Sequence, residues 1–353
     1  MTKIALMALE IISAIVGVLL VWLTLRDVFQ TAVVPRAPYI NIRPSSLATR
    51  LLWRFWPKIA ALYGGKRRED ILSTFAPFNM IALLVLWAAL VGLGYGCIFY
   101  AMRAQLRPQP MDFHTSLYFA YSTMLTIGFG DVLPGTFWTR VLAITTGASG
   151  LGLVAVVTSY LFAIFGSFSA RERYVIALGA RSGTPPTGCG LLETHGFAKL
   201  VERLPAVMVD GQAWAAGVVQ SQVAYPILCY FRSNDAHQSW VGTLGTLLDA
   251  ATMIVSTIDG VPKGEAELML AVGRRAAKDL YEHHRVGGRH DAGIARHHFD
   301  ERCARLRSAG YTLHDPESAW HDYTRLRATY APHLNSIAKY FRIASTPWSD
   351  TAS

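Results

Sequence analysis

The sequence predicts an all-α membrane protein: three membrane-spanning helices, a re-entrant helix and loop between the second and third, and a mostly helical C-terminal half. Three observations carry this. Apolar runs of bilayer length lie at Ile4–Leu25, Ile81–Tyr100 and Val141–Phe168, and a hydrocarbon core about 30 Å thick needs roughly 20 apolar residues in a helix. Only 16% of the 353 residues are charged, against roughly 25% in ordinary soluble domains. Beyond Arg171 the chain is punctuated by Gly183, Pro185, Pro186, Pro205, Pro262, Gly287, Gly288, Pro316 and Pro332, with no alternating strand pattern between them.

The first span follows Lys3 alone, is too long for a signal-peptide core and has no small-residue cleavage site after it, so it should remain as an anchor. Glu10 is the one formal charge inside a span. Such a carboxylate is a functional candidate by default, but it sits about two turns from the end of the span, where a neighbouring helix can satisfy it, and the structural reading is preferred.

The net charge of +9 is unevenly placed. Residues 1–170 carry +7 and residues 171–353 carry +2, with nine Lys or Arg between Arg26 and Asp70. That asymmetry is a topology signal and argues against a nucleic-acid partner, which would call for a basic patch on a folded domain. The basic linker, Arg103 and Arg107 after the second span, and Arg171 and Arg173 after the third agree on one orientation: N-terminus outside, residues 26–70 inside, residues 102–137 outside, and the chain beyond Phe168 in the cytoplasm under the plasma (inner) membrane. Within the linker, Arg50, Arg54 and Lys58 recur every four residues among Leu51, Leu52, Trp53, Phe55 and Trp56. A voltage sensor would need these charges inside an apolar span. The pattern reads instead as an interfacial helix on anionic headgroups.

Between the second and third spans runs Phe113-His-Thr-Ser-Leu-Tyr-Phe-Ala-Tyr-Ser-Thr-Met-Leu-Thr126-Ile127-Gly128-Phe129-Gly130-Asp131. The apolar and aromatic part is long enough for a short helix but too short to span. Irregular backbone at membrane depth is tolerated where it is buried in protein or lines a watery path, so a span, a half-helix, a glycine-containing loop and a span together make a pore.

Here the sequence resembles the pore domain of potassium channels, over about residues 76–170. The resemblance rests on Thr123, Thr126, Ile127, Gly128, Phe129, Gly130 and Asp131, followed by Val132-Leu133-Pro134 and Phe137-Trp138. It implies a selectivity filter in which backbone carbonyls of Thr126, Ile127, Gly128 and Phe129, with the Thr126 hydroxyl, replace the water around a permeant K+. Gly128 and Gly130 would take positive φ without a Cβ penalty, and Asp131 would mark the outer mouth. The half-helix would aim the negative end of its dipole at the ion, with Tyr118, Phe119 and Tyr121 wedging the filter. Two departures stand out. Ser122 occupies the position that in the family often holds a carboxylate partner for the aspartate, and Phe129 replaces the commoner tyrosine.

One loop supplies one wall, so the expected unit is a homotetramer. In the third span, Gly147 and Gly150 are placed where the resemblance implies an inner-helix hinge; close packing of small residues is the other reading. Leu151, Val154, Thr158, Phe162 and Phe165 share a helical face, and a ring of Phe162 or Phe165 would gate by dewetting.

The expected domains are an N-terminal span (1–30), a basic linker (31–75), the pore domain (76–170) and a cytoplasmic helical regulatory domain (171–353). No dinucleotide-binding turn, cyclic-nucleotide barrel, nucleophile elbow or metal quartet is visible in the last, and no cofactor is expected beyond the permeant ion. Ala213–Phe231 and Trp240–Ile258 are apolar, but Gln220, Gln222, Pro226 and Asp249 make them core helices rather than further spans. Tyr225–Trp240 looks similar to the tail of other bacterial single-pore channel proteins. His283, His284, His290, His297 and His298 are read as a solvated face rather than a metal or proton sensor, and Cys97, Cys189, Cys229 and Cys303 as reduced thiols. The function expected is passive potassium conduction without a voltage sensor, gated through the C-terminal domain by an unidentified ligand. The alternative is a membrane-anchored sensor with a vestigial pore. No enzymatic activity is expected.

Overall fold

In the computed structural model, residues 3–34, 43–109, 112–183, 185–233, 235, 237–284, 286–288 and 293–343 are described. Their helices are α1 (Lys3–Ala32), α2 (Pro44–Ala60), α3 (Gly65–Ser73), α4 (Phe75–Ala101), α5 (Phe113–Met124), α6 (Phe137–Ser182), α7 (Gly188–Phe197), α8 (Leu204–Ala224), α9 (Trp240–Ser256), α10 (Gly264–His283), α11 (Arg296–Ser308), α12 (Pro316–Arg327) and α13 (Ala331–Tyr340). The chain divides into two compact units, one of residues 1–64 and 74–164, the other of residues 65–73 and 165–353. Three stretches among the described residues are long and apolar enough to cross a membrane: Ile4–Ala32, Arg67–Ala101 and Phe137–Ser182. All three expected spans are present, the first extended at its C-terminal end and the other two at both ends.

In the first unit, α1 and α4 pack closely because glycines face across the contact. A Cβ on Gly17 would meet the Gly94 carbonyl, and one on Gly94 would meet the Val21 side chain. Glu10 is satisfied by an ion pair with Arg103 at 2.9 Å, as the structural reading of that residue anticipates. At the opposite end of α1, Asp27 is only 2% exposed. Its carboxylate accepts hydrogen bonds from the Ser45 backbone N–H (2.9 Å), the Ser45 hydroxyl (2.6 Å) and the Trp87 indole (2.9 Å). A buried charge is tolerated only with such partners, and these pin the N-terminus of α2 to α1 and α4. Along α2, Trp53 and Trp56 pack on Phe75 at ring-centroid distances of 4.8 and 5.7 Å. Leu47, Leu51, Phe55 and Ile59 stay exposed beside the exposed Arg50, Arg54 and Lys58. This is the amphipathic arrangement expected of an interfacial helix. Arg36 and His290 lie outside the described residues.

The second unit is helical around α9, in which every residue except Val255 is buried. Asp249, inside that helix, accepts from the Tyr330 hydroxyl at 2.6 Å and lies 3.7 Å from the Arg327 guanidinium. The apolar stretch Ala213–Phe231 is not one helix: α8 ends at Ala224, and a 3-10 turn spans Pro226–Tyr230, because proline removes a donor and disfavours helical backbone before it. Arg171 is a second correction. It is buried rather than a charge at a membrane surface, donating to the Leu228 carbonyl at 2.9 Å and the Phe231 carbonyl at 2.8 Å.

The histidine reading is corrected as well. Tertiary packing places His284 Nε2 2.8 Å from the Cys229 thiol, and burial lowers the His284 pKa to about 3 while raising that of Cys229. His283 is partly buried and its pKa is also lowered, whereas His297 is exposed. The four cysteines are free.

Candidate ion-conduction site

The re-entrant helix α5 starts at Asp112, whose carboxylate accepts from the Thr115 backbone N–H at 2.7 Å. That bond caps the helix, and hydrogen bonds from the Thr115 hydroxyl and then its backbone N–H hold the Asp112 carboxyl below its ordinary range. The helix ends at Met124, and the chain turns back on carbonyls that the helix leaves unpaired. The Thr123 carbonyl accepts from the Thr126 N–H (3.1 Å), and the Ser122 carbonyl accepts from those of Ile127 (2.9 Å) and Gly128 (3.4 Å). Ser122 thus ties the loop to the helix through its backbone, which no side-chain alignment reveals.

From there the backbone has positive φ at every second residue: Thr126 at 58°, Gly128 at 61° and Gly130 at 82°. The glycines do so at no steric cost. At Thr126, a β-branched residue, this conformation is an outlier, and its hydroxyl donates to the Leu125 carbonyl at 2.7 Å. The loop side chains are open in the single chain, with Ile127 52% and Phe129 69% exposed. Exposed apolar groups of this size mark an interaction surface or lipid contact.

The three aromatics expected to wedge the loop divide. Tyr118 alone reaches it, its ring stacked 6.4 Å from Phe129 at an interplanar angle of 9°. Phe119 turns to α4 and packs on Phe99 at 4.8 Å. Tyr121 also faces α4, where its hydroxyl donates to the Ala89 carbonyl at 2.8 Å and its ring fills the space left by Gly92. Tyr118 and Tyr121, three residues apart, lie near one face of the helix, and the room left by Gly92 draws the Tyr121 ring to α4. Asp131 accepts from the Val132 N–H at 3.1 Å.

Against the end of α5 lies α6. A Cβ on Gly150 would overlap the Met124 carbonyl, whereas one on Gly147 would sit 3.6 Å from the Thr123 carbonyl. Gly150 is therefore the seat of the re-entrant helix, and α6 runs through it unbroken for 46 residues. A hydrogen bond of 2.7 Å between the Tyr95 and Ser149 hydroxyls links α4 to the same turn. Further along α6, Leu151, Val154, Thr158 and Phe162 are exposed on one face. Phe165 faces Phe231 instead, with ring centroids 6.2 Å apart, so it is not equivalent to Phe162.

Residues 82–167 match the family model described as an ion channel. The likeness to an ion-channel domain is confined to that segment. That match takes in most of α4, all of α5, the loop and most of α6. The chain is also similar to the uncharacterized membrane protein YdjJ of Bacillus subtilis (strain 168), 22% identical over 210 residues that cover 57% of this chain and 58% of that protein. No solved structure matches.

Proposed function

We propose that the protein is a potassium-selective channel, assembled as a homotetramer, in which Thr126, Ile127, Gly128 and Phe129 present the carbonyl oxygens that coordinate K+. The observation that carries this is the alternation of positive φ at Thr126, Gly128 and Gly130 in a loop hung from the end of a re-entrant helix. Reversing the handedness of every second residue turns successive carbonyls toward one side, which is the arrangement required to replace a hydration shell. Four copies are needed because each chain contributes a single loop, and the exposed faces of Ile127 and Phe129 offer the surface on which neighbours would close. On this reading α6 lines the inner pore, Phe162 supplies the narrow apolar ring, and α2 rests on anionic lipid with the C-terminal unit in the cytoplasm.

The test is potassium flux from liposomes containing the purified full chain. Gly128→Ala forces a Cβ into a residue with φ of +61°, and it should abolish flux while leaving the melting of the C-terminal unit unchanged. Equal K+ and Na+ permeability in the unaltered protein would refute the coordination assignment, and no flux under any condition would refute the channel.

A further inference from the structure

The second unit contains a cavity of about 840 Å3, within the range of small-molecule sites. Its walls come from α3, from the segment running from Cys229 to the start of α9, and from the end of α13. Three features define what it would hold. Arg232, the guanidinium in the wall, is already committed: it donates to the Glu69 carboxylate at 2.6 Å and to the Phe341 and Arg342 carbonyls at 3.0 and 2.9 Å. Asp70 and Asp235 line the same space with no ion-pair partner among the described residues; Asp235 accepts only from the His237 backbone and the Gln238 amide. Trp240, 1% exposed, lines the cavity with an indole N–H that has no acceptor, and the Ser233 hydroxyl is likewise unpaired. An unpaired buried donor costs about 1–3 kcal/mol.

We infer that this cavity binds a small organic cation with an aromatic or apolar body and an acceptor oxygen, and that occupancy acts on α6. The uncompensated carboxylates supply the charge, the rings of Tyr230, Trp240 and Phe341 take the body and attract a cation through their faces, and the oxygen meets the Trp240 N–H. Among the described residues that line the cavity, Arg232 is the one lysine or arginine, and it is occupied. The route to α6 is short. Phe231 and Arg232 are adjacent, and while Arg232 faces the cavity, the Phe231 ring packs on Phe165 and Phe168 of α6 at 6.2 and 5.3 Å. The Phe231 carbonyl is held by Arg171 of the same helix. Displacing this dipeptide displaces groups bound to α6.

The regulatory half of this inference rests on the channel reading; the binding half does not, and the test separates them. Tyramine and 4-hydroxyphenylacetate share a hydroxyphenyl ring and differ in the sign of their charge. Titrated calorimetrically into the full chain in detergent, tyramine should bind saturably and the acid should not. The Asp70→Asn/Asp235→Asn double variant, whose altered side chains are exposed, should weaken binding roughly fivefold or more. Trp240→Phe should weaken it as well, with the double variant decisive if Trp240→Phe fails to fold. No saturable tyramine binding, or a preference for the acid, overturns the site. In liposomes, tyramine should change flux at least twofold, an effect lost in the double variant. Binding without a change in flux, or a change that persists in the double variant as direct pore block would, overturns the coupling to α6.

Discussion

The two units bury their apolar residues in opposite ways. In the C-terminal unit, α9 disappears into a core of its own, with Leu244, Leu247, Leu248 and Met253 at 1% exposure or less. In the first unit, large apolar side chains stand open along α1, α4, the loop after α5 and α6, among them Trp22, Ile81, Ile127, Phe129 and Ile144, and its helices meet through glycines. One unit carries its stabilising partners within the chain; the other leaves much of its apolar surface uncovered by the chain itself. Where water is absent on the outside, apolar burial no longer drives helices together, and close backbone approach does.

The largest effect expected from this contrast is in the self-contained unit. Leu247→Ala leaves a void where the core cannot collapse and should cost about 3 kcal/mol, measured as a lower denaturation midpoint of that unit's transition. Its counterpart in the first unit is Gly150→Ala. It creates no void but sets a methyl against the Met124 carbonyl, with a cost of about 1–3 kcal/mol and a severe loss of flux. A C-terminal melt that moves with Gly150→Ala would break the distinction between the two units.

The part-buried contact of His284 with Cys229 gives the C-terminal unit a pH dependence. His284 is held neutral, with its pKa lowered to about 3 from an unfolded value near 6.5. The unfolded chain therefore binds a proton first, and stability, complete above pH 6.5, falls as the pH drops toward 3. By pH 5 this residue alone should remove about 2 kcal/mol. Chemical denaturation at pH 7.5 and 5.0 should show the loss, and His284→Gln should flatten it. The smallest effect is at Glu10, where Glu10→Gln removes a partly exposed ion pair with Arg103, worth about 1 kcal/mol or less in water. A drop several times larger in proteoliposomes would place that pair in a drier setting than its exposure implies.

The first unit is the more legible of the two, because its signals are local. Three apolar runs, a run too short to span and the Thr-Ile-Gly-Phe-Gly-Asp segment each lie within about twenty-five residues, and periodicity reads them directly. What stayed hidden depends on distant partners: Asp27, counted only as a charge, meets Ser45 and Trp87 at separations of 18 and 60 residues; Tyr121 points away from the loop because Gly92 leaves it room; and Ser122 acts through a carbonyl. In the C-terminal unit, composition marked α9 as core, since an aspartate within an apolar stretch argues against a span. It did not place His284 beside Cys229, 55 residues away, where an exposed histidine face was expected.

By itself the sequence determined the three spans, the re-entrant helix and, at Gly128 and Gly130 but not Thr126, the positions where backbone handedness reverses, because chain length, hydropathy and glycine act within a turn or two. Only the tertiary structure decided which polar groups share a buried space. It brought Asp27 to Trp87, committed Arg232 to Glu69, left the Trp240 N–H facing no acceptor, and joined Phe231 to α6. Each depends on helices that pack across long separations, where burial makes a polar group costly unless a partner arrives with it.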